Sequence, residues 1–257
     1  MSTTELRDTF RDATTEDIQY RIAATLEERT DAFRLVYNSY LRANLGASNP
    51  YEMRVTPYHL LSTTETFIAV CHDEVISTVS LVIDGELGLP MESIFARQVA
   101  AKRDQGIVAG EVSCLADRRS EFKELFPVFI RLCRLMAQHA CARGLDELLV
   151  AVHPRHARFY QRFMAFEPIG ETSSYPSVEN NPAVPLCLNF ERIATHFPDI
   201  HEKFFGDPIS AERLRPQPIS ATDRDYLQAV VDACDPLRER NDDEYASTSE
   251  KPVVSAA

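Results

Sequence analysis

The period of the hydrophobic pattern changes several times along the chain, and each change marks an element. Weak alternation over residues 20–26 predicts a strand. Over residues 27–42, Ala32, Leu35, Val36 and Tyr40 recur at helical spacing behind an acidic first turn, which predicts a helix. Two β-rich runs, 66–71 and 75–84, flank His72-Asp73-Glu74 and read as a hairpin, closed by Asp84-Gly85. A helix over 91–103 opens at Pro90 and carries Ile94, Phe95, Val99 and Ala100 as its apolar stripe. A strand over 107–115 precedes the strongest helix, 121–143, which sets Phe122, Phe126, Phe129, Cys133, Met136 and Ala140 on one face and stops at Gly144. Residues 147–153 are almost continuously apolar, as a strand buried on both faces would be, and Pro154 opens a short helix to 164. Segments 166–170 and 184–190 read as closing strands.

This order of strands and helices predicts one α+β domain over residues 20–192. Residues 1–19 form a polar leader, 193–236 a helical extension with helices near 193–205 and 223–233, and 237–257 a polar tail expected to be disordered. Residues 43–65 mix Gly46, Asn49, Pro50 and Pro57 with aromatics, too broken for regular structure and too apolar for a linker. A loop of that length inside a domain is usually functional.

Composition narrows the class. No run approaches the length of a membrane span and the N-terminus lacks a secretory pattern, so a cytoplasmic location is expected. Cys71, Cys114, Cys133, Cys141 and Cys187 sit inside apolar runs without metal-ligand spacing, and are expected to be buried reduced thiols with no metal site. A net charge of −12 argues against nucleic-acid binding. Residues 94–165 run the other way, with 12 Lys and Arg against 7 Asp and Glu. That basic centre is either a set of solvated helix faces or a docking surface for an acidic carrier or a phosphate.

Two segments bear a family likeness. The stretch from His153 through Tyr160 to Gly170 resembles the strand–helix–strand end of a GNAT domain, with Ala165 where glycine is usual. Gly110-Glu111-Val112-Ser113 is similar to the central strand of acyl-homoserine lactone synthases and, more closely, of long-chain N-acyl amino acid synthases. The latter family also shows Tyr51-Glu52-Met53-Arg54, Thr66-Phe67-Ile68-Ala69 and Gly88-Leu89-Pro90-Met91. The resemblance implies the GNAT acyltransferase fold: an α/β/α sandwich around a mixed, mostly antiparallel sheet of about seven strands with a splayed central pair. It implies an N-acyltransferase taking an acyl-phosphopantetheine thioester, from acyl carrier protein or acyl-CoA, to an amine such as an amino acid, with no tightly bound cofactor. One departure bears on the donor: Arg118-Arg119-Ser120-Glu121-Phe122-Lys123 stands where enzymes using acetyl-CoA have a glycine-rich pyrophosphate turn. That favours a carrier protein, whose arm has one phosphate.

Acyl transfer needs a base for the amine, donors for the tetrahedral oxyanion and a proton for the leaving thiolate. Glu111 is the candidate base, unless an arginine simply pairs with it. Backbone N–H groups of Val112, Ser113, Cys114 and Leu115 are candidates for the oxyanion, provided the strands part there. Tyr160 matches the tyrosine that protonates the thiolate in the resembled superfamily, or packs in the core. His153 and His156 would orient Glu111 or bind the acceptor, Arg118 and Arg119 would grip the pantetheine phosphate, and Arg54 would clamp an acceptor carboxylate. Phe122, Phe126, Phe129 and Met136 are either an acyl tunnel or ordinary core. Two other readings stay open, an acetyl-CoA-dependent N-acetyltransferase and a non-catalytic module that binds an acyl carrier or a ligand.

Overall fold

The computed structural model describes residues 17–119 and 122–234, so the tail, and the leader up to residue 16, lie outside the described residues. Strand β1 (Gln19–Ile22) gives way to α1 (Leu26–Arg42) at Thr25. The Thr25 hydroxyl accepts the Glu28 N–H, while the Glu28 carboxylate takes the N–H groups of Ala24 and Thr25. This capping box ends the strand earlier than the alternation predicts and recruits Leu26 to the helix. The hairpin of β2 (Thr64–Cys71) and β3 (Glu74–Ile83) turns through His72 and Asp73, both with positive φ, as a tight primed turn requires.

Then follow α2 (Glu92–Asp104), β4 (Ala109–Asp117), α3 (Phe122–Ala142), β5 (Glu147–Val152) and α4 (Pro154–Met164). The predicted strand over 166–170 contracts to β6 (Glu167–Pro168), since Pro168 has no N–H for a ladder. The loop after it holds a strand the pattern did not show, β7 (Ser173–Tyr175), against β8 (Asn181–Asn189). The helix predicted over 193–205 is two, α5 (Phe190–His196) and α6 (Pro198–Phe205), broken where Pro198 starts a new first turn. A last helix, α7 (Ala221–Ala233), lies in the extension.

The strands join in the order β1-β2-β3-β4-β5-β8-β6, with β7 on β8; every pairing is antiparallel except β4 with β5. On one face, α3 and α4 pack through Phe129, Leu132, Met136, Ala157 and Met164 onto Phe67, Val79, Leu81, Leu148 and Leu186. On the other, Ala32, Leu35 and Val36 of α1 meet Ile68, Val70 and Cys114, and Phe95 and Val99 of α2 meet Val82, Ala109 and Leu149. The result is the expected α/β/α sandwich, with eight strands. Cys141, expected buried, is exposed: it stands one step around α3 from Ala140, off the apolar face.

The parallel pair sets the site. β4 and β5 pair only at Ala109, Gly110 and Glu111, opposite Glu147, Leu148 and Leu149, although β4 continues to Asp117 along β3. The closed end is anchored by the buried Glu147 carboxylate, which holds Lys102 of α2 at 2.7 Å. Beyond Glu111, β4 bulges: Ser113 faces Ser80 and Ala116 faces Thr78, so Cys114 and Leu115 oppose Val79 alone, and Cys114 takes φ 52°. An extra residue bends a strand and re-aims its side chains, and here it supplies the expected splay.

Gly110 sits in the last tight part of this pair. A Cβ there would lie 2.6 Å from Leu145 Cδ2 and 2.9 Å from Leu81 Cδ1, so only glycine lets Leu145 and Leu81 close beneath the strand. Gly110→Ala should therefore destabilise the protein by about 1–3 kcal/mol, read as a lower denaturant midpoint.

Candidate active site

Because strand side chains alternate, Glu111 and Ser113 face the α1/α2 layer while Val112 faces α3 and α4. Glu111 is 2% exposed, and its Oε2 accepts the Met91 N–H at 2.7 Å. That amide belongs to the Gly88–Met91 segment, directly before α2. Burial pushes the Glu111 carboxyl up to about 8, against the Met91 bond, which favours the charged form; the Glu92 charge adds to the rise. No arginine clasps it among the described residues.

The surroundings on this face are polar and aromatic. The Glu111 charge is felt by Tyr40, Tyr58, Tyr175 and Cys114, each of whose pKa values burial raises first, Tyr175 to about 12. Arg54, from the long loop, lies over the Tyr40 ring at 4.6 Å and donates through Nη2 to the Ser177 carbonyl at 2.7 Å. Its guanidinium charge also reaches Cys114. Glu111 and Arg54 therefore both act on Tyr40 and Cys114.

Across the sheet, an almost wholly apolar void of about 20 Å³ is lined by Val112, Leu115, Phe129, Met136 and Tyr160, among others. It has room for about one water-sized sphere. Phe129 and Met136 thus line this void as well as the core, Phe126 packs edge-on against Phe159, and the Phe122 side chain lies outside the described residues. The Tyr160 phenol is buried, which raises its pKa and keeps it protonated.

The remaining candidates stand apart. Arg119 forks onto Asp117, at 2.9 Å to Oδ1 and 2.6 Å to Oδ2, and Arg118 pairs with Glu74 at 2.7 Å. Both guanidinium groups already have carboxylate partners. His153 caps α4 by accepting the Arg155 N–H at 3.2 Å, and the exposed His156 takes the Arg155 Nε–H at 2.9 Å. Neither has a hydrogen bond to Glu111 among the described residues. Tyr58, His59, Ser80 and Tyr175 were not singled out from the sequence, and Tyr40 was read only as part of the first helix's stripe, although His59 and Tyr58 lie in the loop marked there as functional.

The family model for the N-acyl amino acid synthase FeeM matches residues 31–189, more than half the chain. The chain belongs to this family. The solved structure of FeeM from uncultured soil microbes is 26% identical, with 67% of this chain and 90% of that chain covered at a TM-score of 0.59. The acyl-homoserine lactone synthase LasI (12% identity, 76% and 98% covered, TM-score 0.53) shares the fold. So does BjaI, a CoA-dependent acyl-homoserine lactone synthase solved with SAM and isopentyl-CoA (15%, 74% and 92%, 0.51). No curated protein sequence matches. The chain is accordingly an N-acyltransferase of the GNAT type, and no described helix is long and apolar enough to cross a membrane.

The raised Glu111 pKa has a thermodynamic consequence. In the unfolded chain the carboxyl ionises near 4.5; in the folded protein it stays neutral to about 8, so the group costs stability as pH rises through that window. Glu111→Gln keeps an acceptor for the Met91 N–H and removes that cost. It should stabilise the protein by about 3 kcal/mol at pH 7 and by almost nothing at pH 4.5, measured by denaturant unfolding at the two pH values.

Proposed function

We propose that the chain transfers a long-chain acyl group from an acyl carrier protein thioester to the amine of an amino acid, with Glu111 as base. The observation carrying this reading is the Glu111 carboxyl, buried at the last β4–β5 pair on the face of Tyr40, Tyr58 and Tyr175, with an apolar void on the other face of the sheet. The thioester enters where the strands part, its tail toward the void. The acceptor lies on the α1/α2 side, its carboxylate on the Arg54 guanidinium.

An α-ammonium with a pKa of about 7.7–8.0 then meets a carboxyl held at about 8, and a proton passes between nearly matched groups. The free amine attacks the thioester carbon. Backbone N–H groups of the bulged stretch, Val112 to Leu115, receive the oxyanion. The C–S bond breaks as the attacking nitrogen gives its second proton to solvent, the Tyr160 phenol protonates the thiolate, and the proton on Glu111 returns to the tyrosinate by way of solvent. Val112 and Leu115 also border the acyl tail, and Cys114 supplies the turn that opens the groove.

Support for a carrier protein comes from charge. Arg155, Arg158 and Arg162 are exposed along α4, beside His153 and His156, and form a basic face for an acidic partner. Arg118 and Arg119 would meet a phosphate only by releasing Glu74 and Asp117. A second reading, transfer of a short acyl group from CoA, is favoured by the void, which admits a long tail only if Met136 and Phe129 move aside.

Three outcomes are expected. Expression in a bacterial host should yield N-acyl amino acids in lipid extracts, identified by mass spectrometry; their absence, with no transfer from any thioester in vitro, would remove the proposal. Glu111→Gln should lower the transfer rate at least about a hundredfold and abolish its rise with pH through about 8, seen in initial rates. Met136→Trp should shorten the preferred acyl chain in a chain-length series, whereas an unchanged preference would favour the short-acyl reading.

A further inference from the structure

The loop between α1 and β2 carries Arg54 and Tyr58 into the site, and most of what holds it is non-directional. Met53, Val55 and Leu60 pack with Phe33 of α1 and with Leu227, Val230 and Val231 of α7. Apolar contact of this kind binds a segment to a surface without setting its position along that surface. Directional bonds fasten it as well. The Asn49 N–H donates to the Tyr37 hydroxyl and Asn181 Nδ2 to the Asn44 carbonyl, the Arg54 N–H donates to the Phe33 carbonyl at 3.1 Å and its Nη2 to the Ser177 carbonyl at 2.7 Å, and the short 3₁₀ turn Pro57–Leu60 presents His59 to the sheet.

His59 is buried, with its ring 4.7 Å from that of Phe33. Its Nδ1 accepts the Thr56 N–H at 3.0 Å, so in the neutral ring the proton sits on Nε2. Nε2 lies 3.2 Å from Ser80 Oγ and therefore donates to it. Burial, joined by the Arg54 charge, pushes the His59 pKa down to about 4, which keeps the ring in this neutral form. Ser80 stands opposite Ser113, at the edge of the register shift that bends β4. The bond thus runs from the loop bearing Arg54 to the strand position facing the bulge, two residues from Glu111.

We propose that His59 is a positioning residue: its bond to Ser80 registers the Arg54–Tyr58 segment against the bulged strand and so sets how well the amine acceptor is held. This rests on the reading that Arg54 meets the acceptor. His59 itself touches no reacting atom; it sets the backbone from which the guanidinium reaches the Tyr40 ring and the Ser177 carbonyl. The residue lies outside the five segments that carry the family likeness, and its partner is on another element.

The test uses the full chain with both substrates varied. His59→Phe fills the space without the bond, Ser80→Ala removes its acceptor, and His59→Gln restores a donor. His59→Phe and Ser80→Ala should each raise the KM for the amine about tenfold, with the KM for the acyl thioester within twofold of wild type. The double variant should be no worse than either single one, since both delete the same bond. His59→Gln should recover most of the loss. Amide hydrogen exchange gives a readout independent of turnover: residues 53–60 should exchange faster in His59→Phe while β2–β4 keep their protection. Unchanged amine KM, equal changes in both KM values, or uniformly faster exchange would each overturn the inference. A wild-type chain that transfers nothing, yet shows the selective exchange change, would instead refute the proposed function and keep the fastening.

Discussion

The structure turns on the point at which β4 and β5 stop pairing. Three residue pairs hold the two parallel strands together, and after Glu111 the bulge at Cys114 carries β4 away along β3. Two strands that remained paired would seal the sheet and separate its two faces. Past the parting, Val112 and Leu115 line the apolar void on the α3/α4 face, while the Glu111 side chain turns to the α1/α2 face. Gly110 and the Lys102–Glu147 pair hold the other end closed, so the separation is local.

Placing a carboxyl at that junction is costly. Burial holds Glu111 largely protonated at neutral pH, offset in part by a single backbone N–H from Met91. An arginine partner would remove the cost and lower the pKa toward that of an ordinary surface carboxylate, too weak a base for an ammonium. In the proposed mechanism, acyl transfer and the stability of the fold therefore pull in opposite directions at this residue. The tyrosines around it add hydroxyl groups without charge, and Arg54, held over Tyr40, keeps its charge near Cys114 but off the Glu111 carboxylate.

The long loop and the C-terminal extension act on the same site from outside the sheet. Leu227, Val230 and Val231 of α7 cover the loop from one side while β3 takes it from the other. The Gln217 N–H also reaches the buried Glu65 carboxylate at the start of β2. Residues beyond the segment matched by the family model, 31–189, thus pack directly on the piece of chain that carries Arg54.

Much of this was legible before any coordinates. Periodicity located most of the strands and helices, since burial on one face imposes a period of two or 3.6 wherever the core lies. The Glu-Val-Ser stretch and the Gly88–Met91 segment marked the strand that bears Glu111 and the amide that meets it, and Ala165 takes a left-handed conformation, φ 56°. The rest was decided by tertiary structure. The bulge at Cys114 is a two-against-one count between strands, and no property of residues 113–116 alone discloses what stands opposite them. Arg118 and Arg119 read as open charges because their partners, Glu74 across the sheet and Asp117 in a fork, depend on geometry. The convergence of Tyr40, Arg54, Tyr58, Glu111 and Tyr175 joins four separate segments of the chain. Local sequence determines which way each side chain can point, and only packing determines what it meets there.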